Sequence, residues 1–260
     1  MVEICQQELP FRPWEDEHTR RLPGLTPTAP GEWLWVDDAY GAQMNHRRQL
    51  MSDKGDAVHR LSETALPAAQ ELLETVLEEL RARCDFEICA ERVICPDGVQ
   101  IEINRAAPLL TVGALVQEDF VIMEKIGDEH VLTGAILCFP ASWALEQKFL
   151  QPMTRIHVPV EEYTPEIARR VQRLFDGIQV GRPMWRANAL VYGDPELHQP
   201  RREEDKRGPV QSGRKFLRVE RQGMRRLPKT RAVIFSIHSF VLRDTRLAEL
   251  GIRLPQAERA

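Results

Sequence analysis

The sequence lacks any run of about 18 apolar residues, the length a bilayer-spanning helix needs. Its start, Met1 to Pro10, has no basic stretch followed by an apolar one, so no secretory leader is read and a soluble, cytoplasmic chain is expected. G-x-G-x-x-G, G-x-x-x-x-G-K-[ST] and G-x-S-x-G are all missing. Dinucleotide, nucleoside-triphosphate and serine-hydrolase chemistry therefore have no sequence support. Cysteine is sparse and odd in number: Cys5, Cys84, Cys89, Cys95 and Cys138. A chain long enough to bury its own core needs no disulfide framework, and reduced thiols are expected. The gaps between Cys84, Cys89 and Cys95 miss the tight pairs of zinc ribbons and the spacings of common ferredoxins, so these three read as core or strand residues. None of the seven histidines forms an i, i+4 pair.

What is present is 260 residues with 35 Lys+Arg against 39 Asp+Glu, a formal net charge of −4, and a mean hydropathy of −0.37. The near balance is local nowhere. Between Glu63 and Glu129 stand 15 acidic and 5 basic residues; between Arg201 and Arg231 stand 12 basic and 4 acidic. A basic C-terminal third raises the potential for an anion or an acidic partner. Only Phe216 interleaves it as a platform for bases, so nucleic acid is not expected.

Periodicity organises the chain. Residues 1–32 carry prolines at positions 10, 13, 23, 27 and 30 and read as an extended arm. After the apolar Trp33 to Val36, Asp37 or Asp38 is placed to cap a helix carrying Tyr40, Met44 and Leu50. Leu72, Leu73, Val76, Leu77 and Leu80 recur at helical spacing with glutamates between them, predicting an amphipathic helix whose carboxylates form a solvated face. Residues 86–139 alternate with frequent turns and predict an antiparallel meander of four or five strands, Leu109 to Val116 among them. A short helix follows Ser142, and another runs from Thr164-Pro165-Glu166 to Gly177 with Ile167, Val171, Leu174 and Phe175 facing inward. Residues 186–192, 215–222 and 231–241 predict further strands, separated by a charge-dense loop from Arg201 to Gly213. The class is α+β, with one domain over 33–250 and a tail over 251–260.

Two histidines lie in apolar surroundings. His157 sits in Ile156-His157-Val158-Pro159-Val160, pinned by prolines at 152 and 159, after the short helix. A neutral imidazole in a rigid apolar site suits a metal or a heme iron, but on residue chemistry alone a hydrogen-bonded core histidine is the first reading. His238 lies in the strand around Val233 to Phe240, on the side of Ile234 and Ser236, and admits the same two readings.

The stretch Leu137-Cys138-Phe139-Pro140-Ala141-Ser142-Trp143, then Lys148, then Ile156 to Val160, resembles the signature of the heme-dependent oxidative N-demethylase-like family. Arg182 to Asn188, Leu217 to Gln222, Arg226-Leu227-Pro228 and the strand from Ala232 to Phe240 continue the resemblance in order; with Trp33 to Tyr40 it covers about residues 10–250. It implies a PAS-like antiparallel sheet with flanking helices around heme b. The implied activity is oxidative removal of a methyl group from a small secondary amine such as dimethylamine, with O2 activated at the heme. Electrons are implied to come from NADPH through separate flavin and iron–sulfur reductase subunits. His157 matches the family's Ile-His-x-Pro-Val motif and is the implied iron ligand, with Cys138 as the alternative thiolate. Arg186, Asn188, Arg218 and Arg221 match family positions. Arginines suit paired contacts with propionates, and equally suit salt bridges to residues such as Glu220. The chain departs from the family pattern at Phe149, Glu161 and Ala189, where glycine, proline and tryptophan are usual. A PAS-like sensor without turnover is the alternative function.

Overall fold

Three strands long enough to cross a sheet, each alternating apolar and polar residues, dominate the C-terminal half: β8 (Met184–Tyr192), β9 (Phe216–Arg226) and β10 (Val233–Arg243). In the computed structural model, which describes residues 4–17, 19, 24–158, 164–205, 213 and 215–253, they form consecutive antiparallel pairs. The hairpin of β6 (Asp119–Ile126) and β7 (Glu129–Ile136) joins the free edge of β10. The short strands β1 (Thr26–Pro27) and β2 (His59–Leu61) close the two sides, giving the order β1-β8-β9-β10-β6-β7-β2. A separate small sheet holds β3 (Glu87–Ile88), β4 (Arg92–Ile94) and β5 (Gln100–Glu102). The α+β class is as expected.

Alternation along each strand sends neighbouring residues to opposite faces. Phe120, Ile122, Ile136 and Ile234 face α1 (Tyr40–Lys54), α2 (Leu66–Arg81) and α3 (Pro108–Leu115) in the main core. On α2, Leu72, Leu73, Val76, Leu77 and Leu80 are all fully buried, each burial contributing about 1.5–3 kcal/mol at most. Val121, Met123, Ala135, Val233 and Ile237 face the other way. Their partners are α4 (Leu145–Lys148), α5 (Met153–Ile156) and α6 (Pro165–Gly177). A last turn, α7 (Asp244–Glu249), follows β10.

One predicted strand is a helix. Leu109 to Val116 is a short, wholly apolar run, and such a run fits a buried strand or a buried helix alike. Asn104 decides it: its side chain accepts from the amides of Ala106 and Ala107, and Pro108 enters the first turn. A Cβ at Gly113 would come within 2.6 Å of Ile136, so the helix lies close on β7 only because that position is glycine. The meander is accordingly split between the two sheets. Elsewhere the helix from Thr164 is as read, Thr164 accepting from the amide of Ile167, and the glutamates of α2 do more than meet solvent. Glu71 accepts from the amides of Lys229 and Thr230, and Glu79 pairs with Arg225 at 2.5 Å.

Candidate functional site

The C-terminal turn of α5 presents His157. Its Nδ1 lies 2.8 Å from the carbonyl oxygen of Met153, which can only accept, so Nδ1 carries a proton and, in the neutral ring, Nε2 is the atom with the lone pair. Partial burial pushes the imidazole below its ordinary pKa, which favours the neutral ring. Lys148, the last residue of α4, donates to the carbonyl of Ile156 at 2.7 Å and lies 5.5 Å from the centre of the Trp143 ring. These groups rim the face of the sheet that α4, α5 and α6 cover.

The register shows which strand residues share that face. Met184, Arg186, Asn188 and Leu190 of β8 pair with Met224, Gln222, Glu220 and Arg218 of β9. Met224, Ile237 and Phe235 join the apolar cluster of α4–α6, so Arg186 and Asn188 lie on the His157 side, whereas Arg218, paired in register with Leu190 and Val241, packs with the α1–α3 core. Arg186 and Asn188 are half-buried, as is Gln222. The Nε of Arg186 is buried without a hydrogen-bond partner, and burial alone lowers the guanidinium's pKa. Arg218 is buried and engaged: it donates to the carbonyls of Leu197 and Phe139 at 3.0 and 2.5 Å and pairs with Glu220 at 3.2 Å.

Arg221 belongs to the opposite face, opposite Ala187 and His238 in register. It lies between the rings of Trp35 and Trp185, at 5.4 and 4.8 Å from their centres, and donates to the carbonyl of Trp33. Cys138 is fully buried beside Arg47 and Asp119 in the α1–α3 core, and burial pushes its thiol up to about 12. A thiol held that high is disfavoured as a thiolate. Pro159, Val160 and Glu161, most of the Arg201–Gly213 loop and the end of the C-terminal tail lie outside the described residues.

Sequence reasoning missed a buried charge cluster. His238 stands between Glu118, at 3.0 Å from Nδ1, and Asp37, at 3.0 Å from Nε2. Hydrogen bonds to both carboxylates outweigh the cost of burial and raise its pKa to about 9, so the ring is an imidazolium. Gln6 of the arm and Gln117 also donate to Asp37, at 2.8 and 2.9 Å. Arg47 and Asp119, both buried, meet at 2.5 Å. No spacing signals such contacts, since their members stand far apart in the chain. Both readings of His238 are thereby separated: with both ring nitrogens held by carboxylates, it is a core histidine.

Among the described residues no group of three or more His, Cys, Asp or Glu side chains is arranged to hold a bare metal ion. Heme needs less from the chain: one neutral imidazole for its iron and cationic or polar groups for its propionates. His157 with its Nδ1 proton fixed, and half-buried Arg186 with no counter-charge among the described residues, supply that donor set on one sheet face. The residues present fit heme. No helix of the described residues is long and apolar enough to cross a membrane. A family model described as "Haem-dependent oxidative N-demethylase, alpha subunit-like" matches residues 24–257.

Proposed function

The chain belongs to the heme-dependent oxidative N-demethylase family, alpha-subunit-like, and from that premise we propose that it is a heme-binding subunit that removes a methyl group oxidatively from a small secondary amine such as dimethylamine. The supporting observation is His157: a Met153 carbonyl fixes its Nδ1 proton, beside a sheet face on which Arg186 has no counter-charge among the described residues. In this reading His157 Nε2 holds the iron, and the hydrogen bond from Nδ1 orients the ring and raises its basicity. Arg186 meets a propionate, which gives its half-buried guanidinium a counter-charge. Asn188 and Gln222 supply polar contacts on the same face. Trp143, Phe149 and Phe235 pack along the apolar cluster there and keep water from the reacting carbon. Bound heme b supplies the activation of O2 and the oxidation of the carbon next to nitrogen. Electrons come, as the family resemblance implies, from NADPH through flavin and iron–sulfur partner subunits, consistent with the lack of a dinucleotide fingerprint or cluster motif in this sequence.

Reconstitution with heme tests this directly. The wild-type protein should show a Soret band that His157→Ala shifts or abolishes, and with a reductase present it should release formaldehyde from dimethylamine. An unchanged spectrum in the variant removes His157 as the ligand. A heme-loaded protein that releases no formaldehyde favours ligand sensing over turnover.

A further inference from the structure

Of the lysines whose surroundings the structure describes, Lys54, Lys125, Lys215 and Lys229 are exposed, whereas Lys148 is half-buried. Its neighbours are apolar. Trp143 and Phe149 pack against Leu145, Met153 and Ile156, and the amine lies over the Trp143 ring with the Ile156 carbonyl as its acceptor. Among the described residues no carboxylate comes within ion-pair distance of Nζ. Glu203, the carboxylate whose charge reaches it, is already held by both terminal nitrogens of Arg155, at 2.9 and 3.0 Å. Lys125 shows the contrast, paired with Asp176 at 2.6 Å.

An ammonium carries three donors and needs acceptors or water for each; one carbonyl and a ring face serve it poorly. The neutral amine needs less and exposes a lone pair. Desolvation accordingly pushes Lys148 down to about 8, against the opposing pull of Glu203. Such lysines are carbonyl nucleophiles. The carbonyl that Lys148 grips belongs to the residue immediately before His157, so the amine stands at the edge of the candidate site.

We propose that Lys148 is a carbonyl-accepting amine that reversibly takes up a small aldehyde, formaldehyde being the smallest, beside the His157 site. The Nζ lone pair forms the N–C bond while the C=O π pair moves to oxygen. A proton passes from nitrogen to that oxygen, giving a carbinolamine. Protonation of the hydroxyl and loss of water leave an iminium, and no electrons are gained or lost overall. Water reverses both steps. That the aldehyde arises in the molecule itself rests on the proposed demethylation; the reactivity of the amine does not.

The test uses the full chain at about pH 7.5 with limiting formaldehyde and cyanoborohydride, which traps the iminium as a methylated lysine read by peptide mass mapping. Lys148 should be labelled on the order of tenfold faster than Lys54, Lys215 and Lys229, because a far larger fraction of it is neutral. Labelling of Lys148 no faster than of those three overturns the proposal, and this competition needs no variant. Lys148→Arg keeps a cation over Trp143; it should lose that label alone, and redistribution of the label to other lysines in step would count against a special site. In a second arm the heme-loaded protein turns over methyl-13C dimethylamine with a reductase and the same trap. Carbon-13 on Lys148 supports both readings. Label from added formaldehyde but none from the amine upholds Lys148 and counts against demethylation.

Discussion

Two groups of charged side chains around the large sheet are handled in opposite ways. In the one group Arg47 meets Asp119, and His238 meets Asp37 and Glu118. In the other, toward α4–α6, Arg186 and Lys148 are partly withdrawn from water with no carboxylate in contact among the described residues. Breaking a buried pair is costly because the surviving charge is stranded, whereas a cation already lacking a partner contributes little to stability as it stands. The first group therefore holds the arm and helices to the sheet. The second holds cations without a carboxylate in contact among the described residues, and the proposed function puts the cofactor beside them.

The largest effect expected of this contrast comes from Asp119→Ala. It strands Arg47 and frees the amides of Cys138 and Phe139, which both donate to Asp119. Denaturant unfolding should show a loss of about 3–5 kcal/mol. A loss under about 1 kcal/mol would erase the distinction between the groups. The His238 cluster gives the next effect, as a pH dependence. Its folded-state pKa, about 9, stands above the ordinary 6.5. Its contribution is thus complete below pH 6.5 and lost as pH rises through about 9. Urea midpoints should fall across that window in the wild type, and His238→Gln should flatten the fall.

The second group should behave differently. Arg186→Met removes an uncompensated cation, so stability should stay within about 1 kcal/mol of wild type while heme affinity, followed by Soret titration, falls on the order of tenfold. A variant that loses stability as Asp119→Ala does would show Arg186 to be structural. Smallest is Thr164→Ala at the start of α6, where loss of the cap to Ile167 should cost about 1 kcal/mol in thermal unfolding without changing the heme spectrum.

Much of the fold was legible in local pattern. Helix α2 followed from leucines at helical spacing, α6 from Thr164-Pro165 and Gly177, and β8–β10 from alternation. Helix α3 was not legible, because a wholly apolar run has no period to read and its start depends on Asn104. The site was legible in part. Ordered motifs brought His157, Arg186, Asn188, Arg218 and Arg221 forward, but only pairing register divides them, placing Arg221 between two tryptophans on the far face.

By itself the sequence determined the class of the fold, the family, and the absence of dinucleotide and cluster motifs, because each of these resides in residue order and spacing along one chain. Tertiary structure alone decided how the charges are used. A lysine becomes a poorly solvated amine, and a histidine an imidazolium held by residues 120 and 201 positions away, only when distant segments remove water and set the neighbours. Desolvation and charge proximity depend on three-dimensional distance, which residue order does not contain.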